Sequence, residues 1–534
     1  MKALDLLDTA GAHVLGFEWL TAALAPVSSY GDRHFCELRP FFAGEESQAE
    51  QRAQAIARLA AGLDSERLDA LHAAFDDLPD AAGAIARASL GDVLDDPNFL
   101  ELRRFSTTTE RIDGLLTELP EWAPVSNDSV RAIRAALSPG GRDETAFYLA
   151  DAFDSELAGM RDRLGREQAE LDAVRGRENE RAANALSREA IEGDEFIVMR
   201  AEIDGALPAG IRVLREAPTY LLCSLEYGEA SLAALARRDA AAEAVANAEE
   251  RARAALSALV RDHAASLGDA ERKLGELDVS LAAARFTRRY GCRAAEIAKE
   301  PALAFERGRF LPLEAELRAA GRPFVPLDLE LHDVAVLTGP NMGGKSVSLQ
   351  TCGFVALCAA FGLPVPAARA RTALFDQIAW LGTGREAQIG GLLSSFAREV
   401  LELKAILTRG APRLLILADE FARTTTPHEG KALLIALLQR LRERRACGML
   451  ATHLAGIAGA AGARHFAVRG LAGIPRRPPS EDVAEALAAL AAAMDYTIGE
   501  VTGDERPRAD AIALTALLGI DRELVDAAYR SLSQ

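Results

Sequence analysis

The chain has 534 residues, enough for several domains and at least one large core. Its 61 Lys and Arg against 79 Asp and Glu leave a net charge of −18, which argues against a sequence-independent nucleic-acid coat but not against a local basic stripe. With 49% hydrophobic, 26% charged and only 6% aromatic residues, the chain has globular composition and lacks the aromatics of a base-stacking single-strand binder.

At the N-terminus Asp5 and Asp8 interrupt the only apolar stretch, so no signal peptide is expected. Residues 1–150 then carry apolar side chains at three- and four-residue spacing, as in Ile56-Leu59-Leu63 and Leu68-Leu71-Phe75, a helical pattern broken by turn clusters. Residues 151–290 predict two long Ala/Glu/Arg-rich helices, over about 151–186 and 230–285. Between them lie two β-prone runs, 195–201 and 219–223, so a small β tip over about 195–226 sits in a helical hairpin. That tip carries Arg200, Arg212 and Arg215 against Glu195, Glu202, Asp204, Glu216 and Glu226, an acidic balance where a grip on duplex DNA calls for a basic one.

Over about 300–470 strand-like runs alternate with helical ones: Val334-Ala335-Val336-Leu337, Leu414-Leu415-Ile416-Leu417 and Gly448-Met449-Leu450-Ala451. This is the pattern of an α/β domain with a mainly parallel sheet. Residues 346–368 are uncharged, but Gln350, Pro364 and Pro366 and the preceding motif mark a buried helix and strand rather than a membrane span. The six cysteines are scattered with no C-x-x-C pair, so neither a zinc site nor a disulfide framework is expected, and the chain reads as cytoplasmic.

The chemistry is concentrated in Gly339-Pro340-Asn341-Met342-Gly343-Gly344-Lys345-Ser346, a G-x-x-x-x-G-K-S loop after a predicted strand and before a predicted helix. The glycines let backbone N–H groups converge on phosphate oxygens at a helix N-terminus. Lys345 is expected to reach the β- and γ-phosphates and the Ser346 hydroxyl to ligate Mg²⁺. An apolar strand then ends in Asp419-Glu420, with Asp419 on the metal and Glu420 polarising the attacking water. His453, just past a third strand, is assigned a sensing or water-orienting role.

These motifs, with the Arg423-Thr424-Thr425-Thr426 turn, resemble the ATPase of the MutS family, whose ABC-type domains dimerise around ATP. The resemblance implies further residues. Phe324, in Arg322-Pro323-Phe324-Val325, is expected to stack on adenine. Ser394, opening Ser394-Ser395-Phe396-Ala397-Arg398-Glu399, is expected to reach the partner's γ-phosphate in a homodimer. Residues 471–534 resemble the family's closing strand and dimerising helix-turn-helix, and the helical hairpin its lever and clamp. The implied fold is multi-domain: a mainly α-helical lever and clamp with an inserted β tip, an α/β phosphate-loop ATPase domain, and the helix-turn-helix.

There are also departures. The family's mismatch-recognition and connector domains are not expected in this sequence, and the triplet Phe35-Cys36-Glu37 stands in a helical context unlike the mismatch wedge. Typical members have Gly at the positions of Ala422 and Thr424 and Thr where Pro427 stands. The short architecture and the turn after Glu420 look similar to MutS-like ATPases associated with adenosylcobalamin-dependent lysine 5,6-aminomutase, thought of as reactivating factors. Two readings follow: an ATP-driven motor remodelling a protein client, which the acidic tip favours, or a DNA-binding clamp on branched or damaged DNA, which the family name favours.

Overall fold

The computed structural model describes residues 1–2, 6–138, 146–191, 193, 195–203, 205–340, 344–382, 395–471, 494–501, 512, 515 and 521–532. The chain divides into two compact units: Met1–Asp76, Leu115–Ala123 and Arg272–Gln534 form one, Asp77–Gly114 and Pro124–Glu271 the other.

In the second unit the helices Leu157–Ala185 and Glu229–Tyr290, the latter 62 residues long and continuing into the first unit, realise the two long helical patterns. Leu157, Met160 and Leu164 pack on Val245 and Ala248. Arg161 pairs with Glu249 at 2.7 Å and Arg237 with Glu167 at 3.0 Å, while Ser231 donates to Glu178 at 2.7 Å, so the two helices run antiparallel. Polar helices of this kind gain most of their stability from such a seam rather than from intrinsic propensity.

At the end of this hairpin is a three-stranded antiparallel sheet, β1 (Glu195–Met199), β2 (Ile211–Glu216) and β3 (Tyr220–Leu225), in the order β1-β3-β2. Phe196, Val198, Ile211, Leu221 and Cys223 form its buried face against Ala182 and Ala183. The sequence pattern marked β1 and β3 only. The middle run turns only Ile211 and Val213 toward the tip core before a bulge breaks its alternation at Val213/Arg215, and it becomes a strand because β3 supplies its hydrogen bonds.

The first unit contains β4 (Glu296–Ala298), β5 (Leu303–Gly308), β6 (Leu327–Leu331), β7 (Val334–Thr338), β8 (Arg369–Ala373), β9 (Gln377–Gly382), β10 (Leu414–Asp419), β11 (Cys447–Ala451), β12 (His465–Leu471) and β13 (Met494–Glu500). Six of these form one sheet in the order β13-β12-β7-β11-β10-β9, parallel except for β13. A second sheet, β4-β8-β5-β6, was not legible in sequence, because its strands are short or alternate with charges. β7, β10 and β11 are buried almost throughout, as parallel strands covered on both faces must be.

The uncharged stretch after the phosphate loop begins with the helix Lys345–Ala360, buried continuously from Thr351 to Ala360. The N-terminal segment covers it: Gln350 donates to the Val14 carbonyl at 3.2 Å, Phe17 stacks on Phe361, and a side chain on Gly353 would meet Leu15 at 2.4 Å. Among the described residues no helix is long and apolar enough to cross a membrane. Of the expected C-terminal helix-turn-helix, only the helix Arg522–Leu532 and isolated positions are described; the rest lies outside the described residues.

Near the end of the long helix, the buried Asp278 accepts from the Ser28 N–H at 2.8 Å, the Ser28 hydroxyl at 2.6 Å and the Val27 N–H at 3.3 Å. Gly31 is required beside it, since a Cβ there would lie 2.2 Å from the carboxylate. Burial pushes the Asp278 carboxyl above its ordinary range, and the Ser28 bonds oppose that shift. Folding therefore takes up a proton between the unfolded and the raised folded pKa, and stability falls as pH rises through that window. Asp278→Asn turns an amide toward these donors and is expected to cost about 1–3 kcal/mol. Thermal melts across acidic to neutral pH should show a lower Tm and a flatter pH slope than the parent.

Candidate functional site

The site stands at the carboxyl ends of β7, β11 and β10. In register, Leu337 lies opposite Ala451, and Ala451 opposite Asp419, so the three strand ends are level and the strand bearing His453 is the middle one. Backbone bonds tie them together: the Thr452 N–H donates to the Leu337 carbonyl at 2.9 Å and the Glu420 N–H to the Ala451 carbonyl at 3.0 Å. Gly448 makes this closeness possible, since at its φ of +154° a Cβ would lie 1.9 Å from the Ile416 carbonyl oxygen.

β7 leads through Gly339 and Pro340 to Gly344, which caps the helix Lys345–Ala360 in a left-handed conformation with φ of +87°. Lys345 is the first helical residue and only 4% exposed. Its ammonium donates to the carbonyls of Gly339 at 3.0 Å and Pro340 at 3.1 Å, and lies 3.7 Å from Glu420. Burial lowers its pKa, and the charges of Glu420 and Asp419 hold it up. Ser346 donates to Asp419 at 2.5 Å. Asp419 is pushed upward by burial, with the Ser346 bond acting the other way.

Glu420 adopts a left-handed backbone, φ +53°, as the chain turns off β10, and its carboxylate also accepts from Arg423 at 3.0 Å. Four of the expected residues, Lys345, Ser346, Asp419 and Glu420, thus form one cluster. His453 is exposed two residues past β11. Phe324 is half-buried three residues before β6. Asn341, Met342, Gly343 and Ser394 lie outside the described residues.

Two residues without a role in the sequence reading join the site. Tyr496 of β13 packs on the phosphate loop, its ring 3.2 Å from where a Gly344 side chain would begin. It was missed because it lies 151 positions beyond Lys345 in an isolated strand. Glu399, on the helix Ser395–Arg409, is buried and accepts from the Ala422 N–H at 2.8 Å. Ala422 has a φ of +62°, a conformation that costs an alanine about 1–2 kcal/mol and a glycine almost nothing. Glu399 therefore holds a strained turn two residues beyond Glu420.

Removing that acceptor by Glu399→Ala is expected to cost about 1–3 kcal/mol and to lower turnover at this site more than it weakens ligand binding. Glu399→Gln, which keeps an acceptor oxygen, should recover most of both. Melting curves and steady-state kinetics measure this.

Comparison with known proteins matches residues 335–469 to MutS domain V. An Endonuclease MutS2 from Pelotomaculum thermopropionicum is 29% identical over 393 residues, covering 70% of this chain and 48% of that protein. A DNA mismatch repair protein MutS from Granulibacter bethesdensis is 28% identical over 394 residues, 70% of this chain and 42% of its own length. One from Thermus thermophilus is 37% identical over 206 residues, 38% of this chain and 24% of its own. The chain thus spans about half or less of the length of these relatives. With the strand order, the phosphate loop and the Asp-Glu strand end in place, residues 335–469 are similar to MutS domain V, an ATPase domain.

Proposed function

We propose that the chain is an ATP- and Mg²⁺-dependent switch that works as a homodimer, hydrolysing ATP to ADP and phosphate. The observation that carries this reading is the buried Lys345 ammonium between Asp419 and Glu420, with Ser346 bonded to Asp419. The donor set fits both groups: a hydroxyl and a carboxylate suit a hard divalent cation, and an ammonium at a helix N-terminus suits phosphate. Mg²⁺, when bound, neutralises phosphate charge as the γ-phosphoryl group leaves.

Lys345, now held by the carbonyls of Gly339 and Pro340, would bind phosphate oxygens. Ser346 and Asp419 would hold the cation through the oxygens that now bond each other. Glu420, steadied by Arg423, polarises the attacking water, and His453 orients it from the middle strand. Asn341, Met342 and Gly343 complete the phosphate cradle, Phe324 stacks on adenine, and Ser394 of one subunit completes the site of the other. The six free cysteines accord with a reducing, cytoplasmic setting.

For the client, the relatives' names, DNA mismatch repair protein and endonuclease, support DNA, the reading that the sequence alone ranked second. Remodelling of a protein client, including an aminomutase, draws its support from the acidic chain and tip and from the likeness of the short architecture and the turn after Glu420 to aminomutase-associated ATPases.

Lys345→Ala is expected to abolish ATP binding; retained affinity by titration calorimetry refutes the phosphate-loop assignment. Glu420→Gln should bind ATP yet turn it over about a hundredfold slower or less, and normal turnover removes Glu420 as the residue acting on water. With DNA as client, duplex or branched DNA should stimulate hydrolysis at low salt, and the stimulation should fall steeply as salt is raised. No stimulation at low salt excludes it.

A further inference from the structure

The tip sheet has a second face that its own unit leaves uncovered. Along β1, Phe196 and Val198 point into the tip core while Ile197 and Met199 point away, 49% and 44% exposed. Register places Ile197 beside Leu222, and Leu222 beside Arg215; Met199 lies beside Tyr220, and Ser224 stands between Glu195 and Arg212. The outer face therefore has an apolar centre of Ile197, Met199, Leu222 and Tyr220, bordered on the β2 edge by Arg212 and Arg215. A cluster of large exposed apolar groups on a three-stranded sheet marks a contact surface rather than scattered exposure.

The tip's charges are unequal in availability. Arg200 is held by Glu216 at 2.8 Å and by the Ala217 carbonyl, and Arg188 by Glu202 at 2.7 Å. Among the described residues, neither Arg212 nor Arg215 has a carboxylate within ion-pair distance, and both are exposed. Thus the acidic count over 195–226 overstates what this face presents: two arginines remain to meet an incoming negative charge, beside side chains that gain only from an apolar partner.

We propose that this face docks a protein segment whose apolar side chains cover Ile197, Met199 and Leu222 and whose carboxylates meet Arg212 and Arg215. Duplex DNA matches the arginines but not the apolar centre, since a phosphate backbone offers nothing that profits from covering isoleucine and methionine. A protein partner satisfies both, with a buried apolar core and a charged rim. This goes beyond the ATPase reading and does not rest on it.

The test uses the full chain and fluorescein-labelled probes read by anisotropy: peptides of about twelve residues alternating Leu or Val with Asp or Glu, the same peptides with Lys for the acids, and a duplex of about thirty base pairs. The acidic peptides are expected to bind, and the Lys versions roughly tenfold more weakly or not at all. The double variants Ile197→Asp/Met199→Asp and Arg212→Glu/Arg215→Glu should each weaken the acidic peptides roughly tenfold or more while leaving basal ATP turnover and the circular-dichroism melting profile unchanged, the latter showing that the tip still folds. Acidic peptides that fail to bind, or that bind both variants as well as the parent, overturn the proposal. Duplex binding lost only in the arginine variant, with no peptide binding, overturns it in favour of DNA. Because ATP turnover is read separately, loss of turnover in the Lys345 variant bears on the motor and not on the tip.

Discussion

A lysine ammonium buried at the start of a helix cannot remain charged unless fixed opposite charge stands beside it, and the first unit is arranged to supply that charge. Lys345 is the last group of the phosphate loop and the first of its helix, and Asp419 and Glu420 close the strand two places away in the sheet. The carbonyls of Gly339 and Pro340 complete its shell. The same desolvation that lowers the Lys345 pKa and raises that of Asp419 makes the cluster strongly responsive to an anion or a cation entering it.

From that cluster, packed contacts lead outward within the first unit. The helix Lys345–Ala360 carries Phe354, which meets Trp19 with centroids 6.2 Å apart; Trp19 in turn meets Phe286 at 6.3 Å and Tyr290 at 5.6 Å. Phe286 and Tyr290 are the last turns of the helix Glu229–Tyr290. Edge-to-face aromatic packing is directional, so a shift of the phosphate-loop helix must be accommodated at the end of the long helix rather than absorbed in a loose core.

The departures from the usual family pattern have local explanations. Ala422 keeps the left-handed backbone that explains a glycine at that position, and the Glu399 carboxylate on its N–H offsets the strain. Pro427 opens the helix Pro427–Glu443 at its first position, where a missing N–H costs nothing, with Thr426 as N-cap accepting from the Glu429 N–H. Thr425 and Thr426 both donate to the Glu429 carboxylate, so this turn is held by its own side chains.

Much of the cluster at the phosphate loop was legible in sequence because its requirements are local. A glycine loop between an apolar strand and a helix, and a carboxylate pair closing a strand, need only a few consecutive residues to be recognised; Lys345, Ser346, Asp419 and Glu420 came from such runs. The long helices were legible for the same reason, their composition and spacing being properties of single segments. What required the tertiary structure was every feature made by residues far apart in the chain: β2 as a strand, the second sheet, β11 as the middle strand, and the N-terminal segment as cover for the phosphate-loop helix. Glu399, Tyr496 and Asp278 belong to the same class, since each acts through contacts with one distant segment. Hydrogen bonds and burial between remote segments leave no periodic trace in either partner, and only the folded chain brings those partners together.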